Sequence, residues 1–454
     1  MKSVWIMTIV MMAVSFSCEE SGMVPPTPID KEDETATVNS FSNIAKLSDR
    51  VIYEVNLRAF SSSGKLAGVT AGLDHIQSLG TNVIWLMPIY PIGQLKGVNS
   101  PYSVQDYQAV NTEFGDLNDL IALVNEAHSR DMAVILDWVA NHTSWDHEWM
   151  QTPDWYVQDS DGNIIEPPGT GWTDVAELNF DNIDMQAEMI ASMKYWIEEA
   201  GIDGFRCDAI DFVPDAFWSE AIASINSATD KELIWLGEGG KAENFTSGFE
   251  FNYAWDFYGK IKNIYSNSNS ASGLFVTHEQ EMSGLDANQS KLRYITNHDV
   301  YAWDETPEEV YTNEGSVGAF VATAFIGGVP LIYSGQEIGR PSLISFFGKD
   351  PIDWSQNPDI LKQYQDLMAV RESVLEVLHG ELIAYSDTDV IAFSRTNETS
   401  ELLILVNTRA TSKTFSLPTS LQNSSWENLL TDENIPLGNE ISLDAFQYLI
   451  LQKQ

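Results

Sequence analysis

The sequence predicts an α/β chain: a (β/α)8 TIM barrel with a short domain B insertion after strand three, then a C-terminal antiparallel β-sandwich. Three observations carry this. Eight short, nearly continuous apolar runs alternate with helix patterns from about residue 48, as expected of parallel strands buried on both faces. One stretch rich in Trp, Pro, Gly and Asp interrupts that rhythm once. Beyond about residue 380, short β-type runs are separated by turn residues instead of helices.

The first 18 residues, "MKSVWIMTIVMMAVSFSC", join Lys2 to an apolar run and then to small residues before Cys18. That is the pattern of an export signal, too short for a spanning helix. A Cys directly after the small residues resembles a bacterial lipoprotein signal, so Cys18 is expected to carry a lipid anchor at an outer membrane or cell surface. The alternatives are an ordinary cleaved signal of a periplasmic or secreted protein, or a simple anchor helix. Residues 19–45 are acidic and Pro-containing without apolar periodicity, and read as a disordered tether. With Cys18 lipidated, Cys207 is the one remaining thiol, so no internal disulfide is expected.

The barrel is expected over 46–142 and 181–378. Its strands are "VIYEV" (51–55), "NVIWLMP" (82–88), "MAVILDWV" (132–139), "GFRCDA" (204–209), "ELIWLGE" (232–238), "FEFNYA" (249–254), "LRYITNHD" (292–299) and "VPLIYSG" (329–335). Helix patterns at 116–131 and 184–201 stand between strands; in the second, Met189, Met193, Trp196 and Ala200 recur at helical spacing and read as core. The insertion, 143–180, is too long for an ordinary βα loop. Runs such as "VIAFSRT" and "ELLILVN" place the sandwich at 379–454.

Chemistry in such a barrel belongs at the C-terminal strand ends. Four strands end in polar residues there: Asp137, Asn141 and His142; Arg206 and Asp208; Glu238; and Asn297, His298 and Asp299. In "GFRCDAIDF", Phe205 and Cys207 alternate with Arg206 and Asp208, so one face packs on helices and the charged pair faces the mouth. Parity along Ile234, Leu236 and Glu238, and along Ile295, Asn297 and Asp299, aims two more carboxylates there. Taken singly, Arg206–Asp208 could be a structural ion pair and Glu238 a helix cap, and His142 reads first as a core or surface histidine; chance is implausible only for the four sets together. The spacing of His142 and His147 fits no strong zinc pattern.

Sixty-six acidic against 24 basic residues give a formal net charge of −42. Such a surface repels nucleic acid and anionic lipid, leaving the membrane accessible only through a lipid anchor. A neutral oligo- or polysaccharide substrate, bound by stacking and hydrogen bonds, suits it. Candidate platforms are Tyr102 and the insertion's Trp145, Trp149, Trp155 and Trp172, although each Trp taken alone reads first as core packing.

The four motifs "DWVANH", "GFRCDAIDF", "GEGG" and "TNHD", with "SPYSVQDYQAVNTEFG" and "AELNF" beside them, resemble glycoside hydrolase family 13, the α-amylase family. The resemblance covers roughly residues 48–454. It implies a retaining glycosidase acting on α-glucosidic bonds of maltooligosaccharides or related α-glucans by double displacement. It implies Asp208 as nucleophile, Glu238 as acid/base and Asp299 as the residue that binds sugar hydroxyls and helps distort the ring. Arg206 would keep Asp208 ionised, His142 and His298 would bond sugar hydroxyls, and Tyr102 would stack on the sugar. Asn141 matches a family calcium ligand, which leaves calcium an open expectation because the other ligands are not located; no organic cofactor is implied. Asp211 and Phe212 stand where many α-amylases have Lys and His, and "SPY" replaces their His-Gly-Tyr. The alternatives are a transglycosylase on the same substrates and a non-catalytic glucan-binding protein.

Overall fold

The computed structural model describes residues 36–454; the signal and the tether up to 35 lie outside the described residues. The strands, in chain order, are β1 (Ile52–Val55), β2 (Val83–Leu86), β3 (Ala133–Trp138), β4 (His142–Ser144), β5 (Val175–Glu177), β6 (Gly204–Cys207), β7 (Ile234–Gly237), β8 (Phe251–Tyr253), β9 (Ser290–Arg293) and β10 (Val329–Tyr333). Eight of them close into a parallel barrel in the order β1-β10-β9-β8-β7-β6-β3-β2. β4 and β5 pair with each other in the insertion.

Each barrel strand divides its side chains by parity. Ile52, Val83, Trp85, Ala133, Ile135, Ile234, Leu236, Phe251, Leu292 and Leu331 fill the lumen. Their neighbours, such as Tyr53, Ile84, Val134, Phe205 and Cys207, pack outward in the larger core that includes the helices. The same inward parity places Glu54, Asp137 and Arg206 in the uppermost layer. Asp137 lies directly opposite Arg206 in the β3–β6 register. Gly204 makes the β6–β7 approach tight: a Cβ there would fall 2.0 Å from the carbonyl oxygen of Ile234.

The predicted helices at 116–131 and 184–201 form Leu117–His128 and Ile183–Glu199. Asp116 caps the first reciprocally with Asp119, and Asn182 caps the second through two main-chain amides. The C-terminal sheet orders its strands β11 (Glu381–Tyr385), β12 (Val390–Thr396), β13 (Glu401–Asn407), β18 (Tyr448–Lys453), β15 (Ser424–Asn428) and β16 (Glu433–Leu437). A second pair, β14 (Lys413–Ser416) and β17 (Glu440–Leu443), closes the sandwich over Val390, Leu403, Phe415 and Trp426.

Two expectations need correction. Residues 36–45 are not a free tether: the amides of Ala36 and Asn39 donate to the side chains of Asn118 and Asn125, each at 2.8 Å. Phe41 stacks on His128 with centroids 4.1 Å apart. The polar composition hid a segment held by main-chain bonds. The seventh strand is also shorter than 292–299. It ends at Arg293, Leu292 and Tyr294 point into the lumen, and Ile295 packs outside. Parity therefore does not carry Asn297 and Asp299 inward; a turn does, at the head of a π-helix over Val300–Asp304.

Candidate active site

The charges gather around one guanidinium. Arg206 is fully buried; its Nη1 lies 2.8 Å from Asp137 Oδ1 and 2.7 Å from Asp208 Oδ1, and its Nη2 lies 3.0 Å from Glu238 Oε1. Asp208 and Glu238 follow directly on β6 and β7, so the strands deliver them to the barrel mouth. Between them Ala209 turns through φ +45°, a left-handed conformation that non-glycine residues seldom hold. That turn lets the Ala209 amide donate to Glu238 Oε2 at 2.8 Å. The backbone after one carboxylate therefore fixes the other.

A supporting layer holds this cluster from below. Asp137 accepts from Trp85 Nε1 at 3.1 Å and from Tyr102 OH at 3.0 Å as well as from Arg206. Glu54, fully buried, bonds His298 Nδ1 at 2.5 Å. His298 Nε2 faces Tyr102 OH at 2.8 Å and Asp299 Oδ2 at 3.5 Å. Each of these buried charged side chains thus has at least one partner, although Glu54 Oε2 is left without a hydrogen bond.

Environment separates the titrating groups. Burial raises the Glu238 carboxyl to about 7; Arg206 opposes this, while Asp208 and Asp299 add to it. Burial also raises Asp208, and here Arg206 opposes it both by charge and by a direct hydrogen bond. His298 is raised to about 9, because the negative charges of Asp299 and Glu54 outweigh its burial. His142 is pushed down to about 4 by burial and is neutral near pH 7.

All seven residues predicted from sequence meet here. Tyr102, His142, Asp208, Glu238, His298 and Asp299 line one cleft of about 290 Å³, with Arg206 beneath it. Tyr102 stacks on His298 at 5.5 Å and on Phe346 at 5.7 Å. Of the four insertion tryptophans, Trp172 alone lines the cleft; it is 37% exposed and meets His142 edge-on at 5.5 Å. Trp149 is buried, with Trp155 packed against it, and Trp145 lies under Lys96 Nζ.

Sequence reasoning missed Trp303, Phe346 and Phe347, which supply the far wall. It also missed Glu54, although a lone charge in the apolar run "VIYEV" was a usable signal. Phe212 is 57% exposed and leans on Trp172 at 5.8 Å, widening the aromatic wall on the insertion side. Asp211 turns away, accepting from Asn244 Nδ2 at 3.0 Å and the Gly240 amide at 3.2 Å.

The α-amylase catalytic-domain family model ("Alpha amylase, catalytic domain") matches residues 31–162 and 170–374. The chain belongs to the alpha-amylase family of glycosidases. This alpha-amylase family member is 28% identical over 357 residues to Alpha-amylase 3 of Dictyoglomus thermophilum, covering 69% of each chain. It is 28% identical over 356 residues to the Glucan 1,6-alpha-glucosidase of Streptococcus pneumoniae, covering 64% of this chain and 65% of that one. The crystal structure of an alpha-amylase from Lactobacillus plantarum superposes with a TM-score of 0.80 at 27% identity, covering 90% of this chain and 99% of that one.

The calcium expectation meets a mixed donor set. Leu178 donates its amide to the Asn141 carbonyl at 3.1 Å, which makes Asn141 and the preceding Glu177 neighbours across the β4–β5 pairing. Glu177 Oε2 is buried without a hydrogen-bond partner. Hard oxygen donors of this kind suit calcium. Among the described residues no group of three or more His, Cys, Asp or Glu side chains gathers for a metal.

Proposed function

We propose that the cleft hydrolyses α-glucosidic bonds of maltooligosaccharides or related α-glucans with retention of configuration. The observation that carries this reading is the shared guanidinium, which binds Asp208 through Nη1 and Glu238 through Nη2. It holds two carboxyl groups close together, as a retaining mechanism with its separation of about 5–5.5 Å requires. It also gives them unequal environments, so one can be ionised while the other is protonated.

Asp208 attacks the anomeric carbon as its bond to the leaving oxygen breaks, and Glu238 passes its proton to that oxygen. The result is a glycosyl ester of inverted configuration on Asp208. Water then attacks the same carbon, its proton returns to Glu238, and Asp208 is released as carboxylate. The second inversion restores the α configuration. His142, neutral, presents an N–H donor to a hydroxyl of the sugar being cleaved. His298, cationic, gives its Nδ1–H to Glu54 and shares its Nε2–H between Tyr102 and the sugar, and Asp299 accepts from sugar hydroxyls. Tyr102 and Trp172 offer ring faces for stacking.

Incubation with a panel of α-glucans, with first products identified by chromatography and by anomeric NMR, tests the reading. Release of α-anomeric sugars supports it; β-anomers or no release overturns it. Phe212 and Trp172 together make an apolar face on which a sugar acceptor can stack, which favours transglycosylation as the second outcome. Longer products on adding a sugar acceptor would establish that outcome.

Because Glu238 must hold its proton, kcat/KM is expected to fall as pH rises through about 7. The acid side should fall where Asp208 becomes protonated. A pH–rate profile flat from about 6 to 9 would exclude Glu238 as the acid. For calcium, Asn141 and Glu177 would be its side-chain ligands, tying the insertion to the barrel, and no catalytic step passes through it. Chelation is then expected to lower Tm; an unchanged Tm removes calcium from the proposal.

A further inference from the structure

At the other end of the barrel, a second cavity of about 520 Å³ lies between the entries to β9 and β10 and the sandwich. Gln289 and Ser290 border it at the start of β9, Gly327 and Gly328 before β10, and Arg395 from β12. No carboxylate lines it among the described residues, although the chain carries 66 acidic residues. The chain has nine arginines. Arg50, Arg58, Arg130, Arg206, Arg293, Arg340 and Arg409 each pair with a carboxylate. Arg371 and Arg395 have no such partner among the described residues, and both line this cavity.

Their donors are only partly used. Arg371 is 5% exposed, and its Nε donates to the Ala324 carbonyl at 2.9 Å, its one hydrogen bond among the described residues. Arg395 donates to the carbonyls of Leu378 and Ile326, while its Nε is buried without a partner. His278 joins them. Its Nδ1 lies 3.1 Å from Arg293 Nη2, and a guanidinium only donates, so Nδ1 accepts and Nε2 carries the proton. The ring and the Arg395 guanidinium converge over Gly327: a Cβ there would meet His278 Cε1 at 3.6 Å and Arg395 Nη1 at 3.8 Å.

One carboxylate acts on the two arginines from the rim: Asp49 attracts Arg371 without forming an ion pair with it, while Arg395 has no charged partner among the described residues. Arg293 is paired by Glu281, and at the rim His379 bonds Asp49 at 2.6 Å. Burial holds His278 at about 3, neutral, with Arg293 and Arg395 adding to the depression. Burial lowers both Arg371 and Arg395 to about 10, so they stay cationic at neutral pH. Desolvated guanidinium groups without a directly paired carboxylate favour a planar or tetrahedral oxyanion that can take two N–H bonds at once.

We propose that this cavity binds a small phosphate-class oxyanion between Arg371 and Arg395, remote from the sugar cleft. Arg371 lies on the helix Pro358–Ser373 and Arg395 on the sandwich, so an anion held by both ties the barrel to the sandwich. The anion comes either as free phosphate or as the head of a small phosphomonoester, whose body would lie on Leu47, Phe325 and Leu378. Titration calorimetry near pH 7 with inorganic phosphate and with glycerol phosphate separates the two, against chloride at matched ionic strength. One saturable site is expected for phosphate or the ester and none for chloride. Arg395→Gln and Arg371→Gln should each weaken it at least tenfold with glucan hydrolysis unchanged. No saturable binding to the wild-type protein, or equal affinity in the variants, overturns the proposal. Should neither variant fold, phosphate soaked into wild-type crystals must appear between the two guanidinium groups, and its absence there overturns it equally.

Discussion

Asp208→Asn is expected to lower kcat/KM on the order of 10⁵-fold, the scale seen when a nucleophile that works as part of a unit is removed. The substitution keeps the shape of the side chain and one oxygen for the Arg206 Nη1 contact at 2.7 Å. Arg206 also retains Asp137 and Glu238, so no buried charge is left alone. Folding should survive: far-ultraviolet circular dichroism should match the wild type and Tm should move little. What is lost is the anion that bonds to the anomeric carbon, since an amide is a far weaker nucleophile than a carboxylate. Intact-mass spectrometry adds a second readout. Wild type quenched during turnover should carry a glycosyl adduct, and the variant none. Activity within tenfold of wild type would show that Asp208 does not form the bond, whatever its position.

The barrel was legible because a parallel strand buried on both faces has to be apolar along its length, and eight such runs are present. The inward layer was legible too, through parity, wherever a strand ran straight to its charged end: Arg206 and Glu238 obey it. It failed at Asp299, because β9 ends at Arg293 and the chain reaches the mouth by a turn. Side-chain alternation carries no information once the strand has stopped. Glu54 was visible as a lone charge, but its role came from His298, 244 residues away in sequence. Phe346 and Phe347 belong to a connection after the last barrel strand whose path no local pattern specifies. Residues 36–45 misled for a different reason. Average composition hid both the main-chain amides and the few apolar side chains, Val38, Phe41 and Ile44, that hold this segment to the barrel.

Removing the shared cation tests the electrostatic argument most directly. Arg206→Met leaves Asp137, Asp208 and Glu238 facing one another in a fully buried spot that held the guanidinium. Breaking a buried ion pair by deleting one partner costs about 3–5 kcal/mol, and Met keeps much of the volume, so packing loss contributes little. The folded state can relieve the repulsion only by binding protons, which raises the carboxyl groups still further above their unfolded values. The folded state then holds more protons than the unfolded one, so the variant loses stability as pH rises. Its deficit should be small near pH 4, where the unfolded carboxyl groups also begin to be protonated, and largest above about 7. Activity should fall by more than about 10³-fold at every pH, because conditions that ionise Asp208 also strip the proton from Glu238. Chemical denaturation at several pH values supplies the stability curve. A deficit constant from about pH 4 to 8 would mean that Arg206 acts by packing against Trp85, Tyr102 and Tyr253 rather than by charge. Combining Arg206→Met with Asp208→Asn should recover part of the lost stability and none of the activity, since the second change removes one of the repelling anions together with the nucleophile.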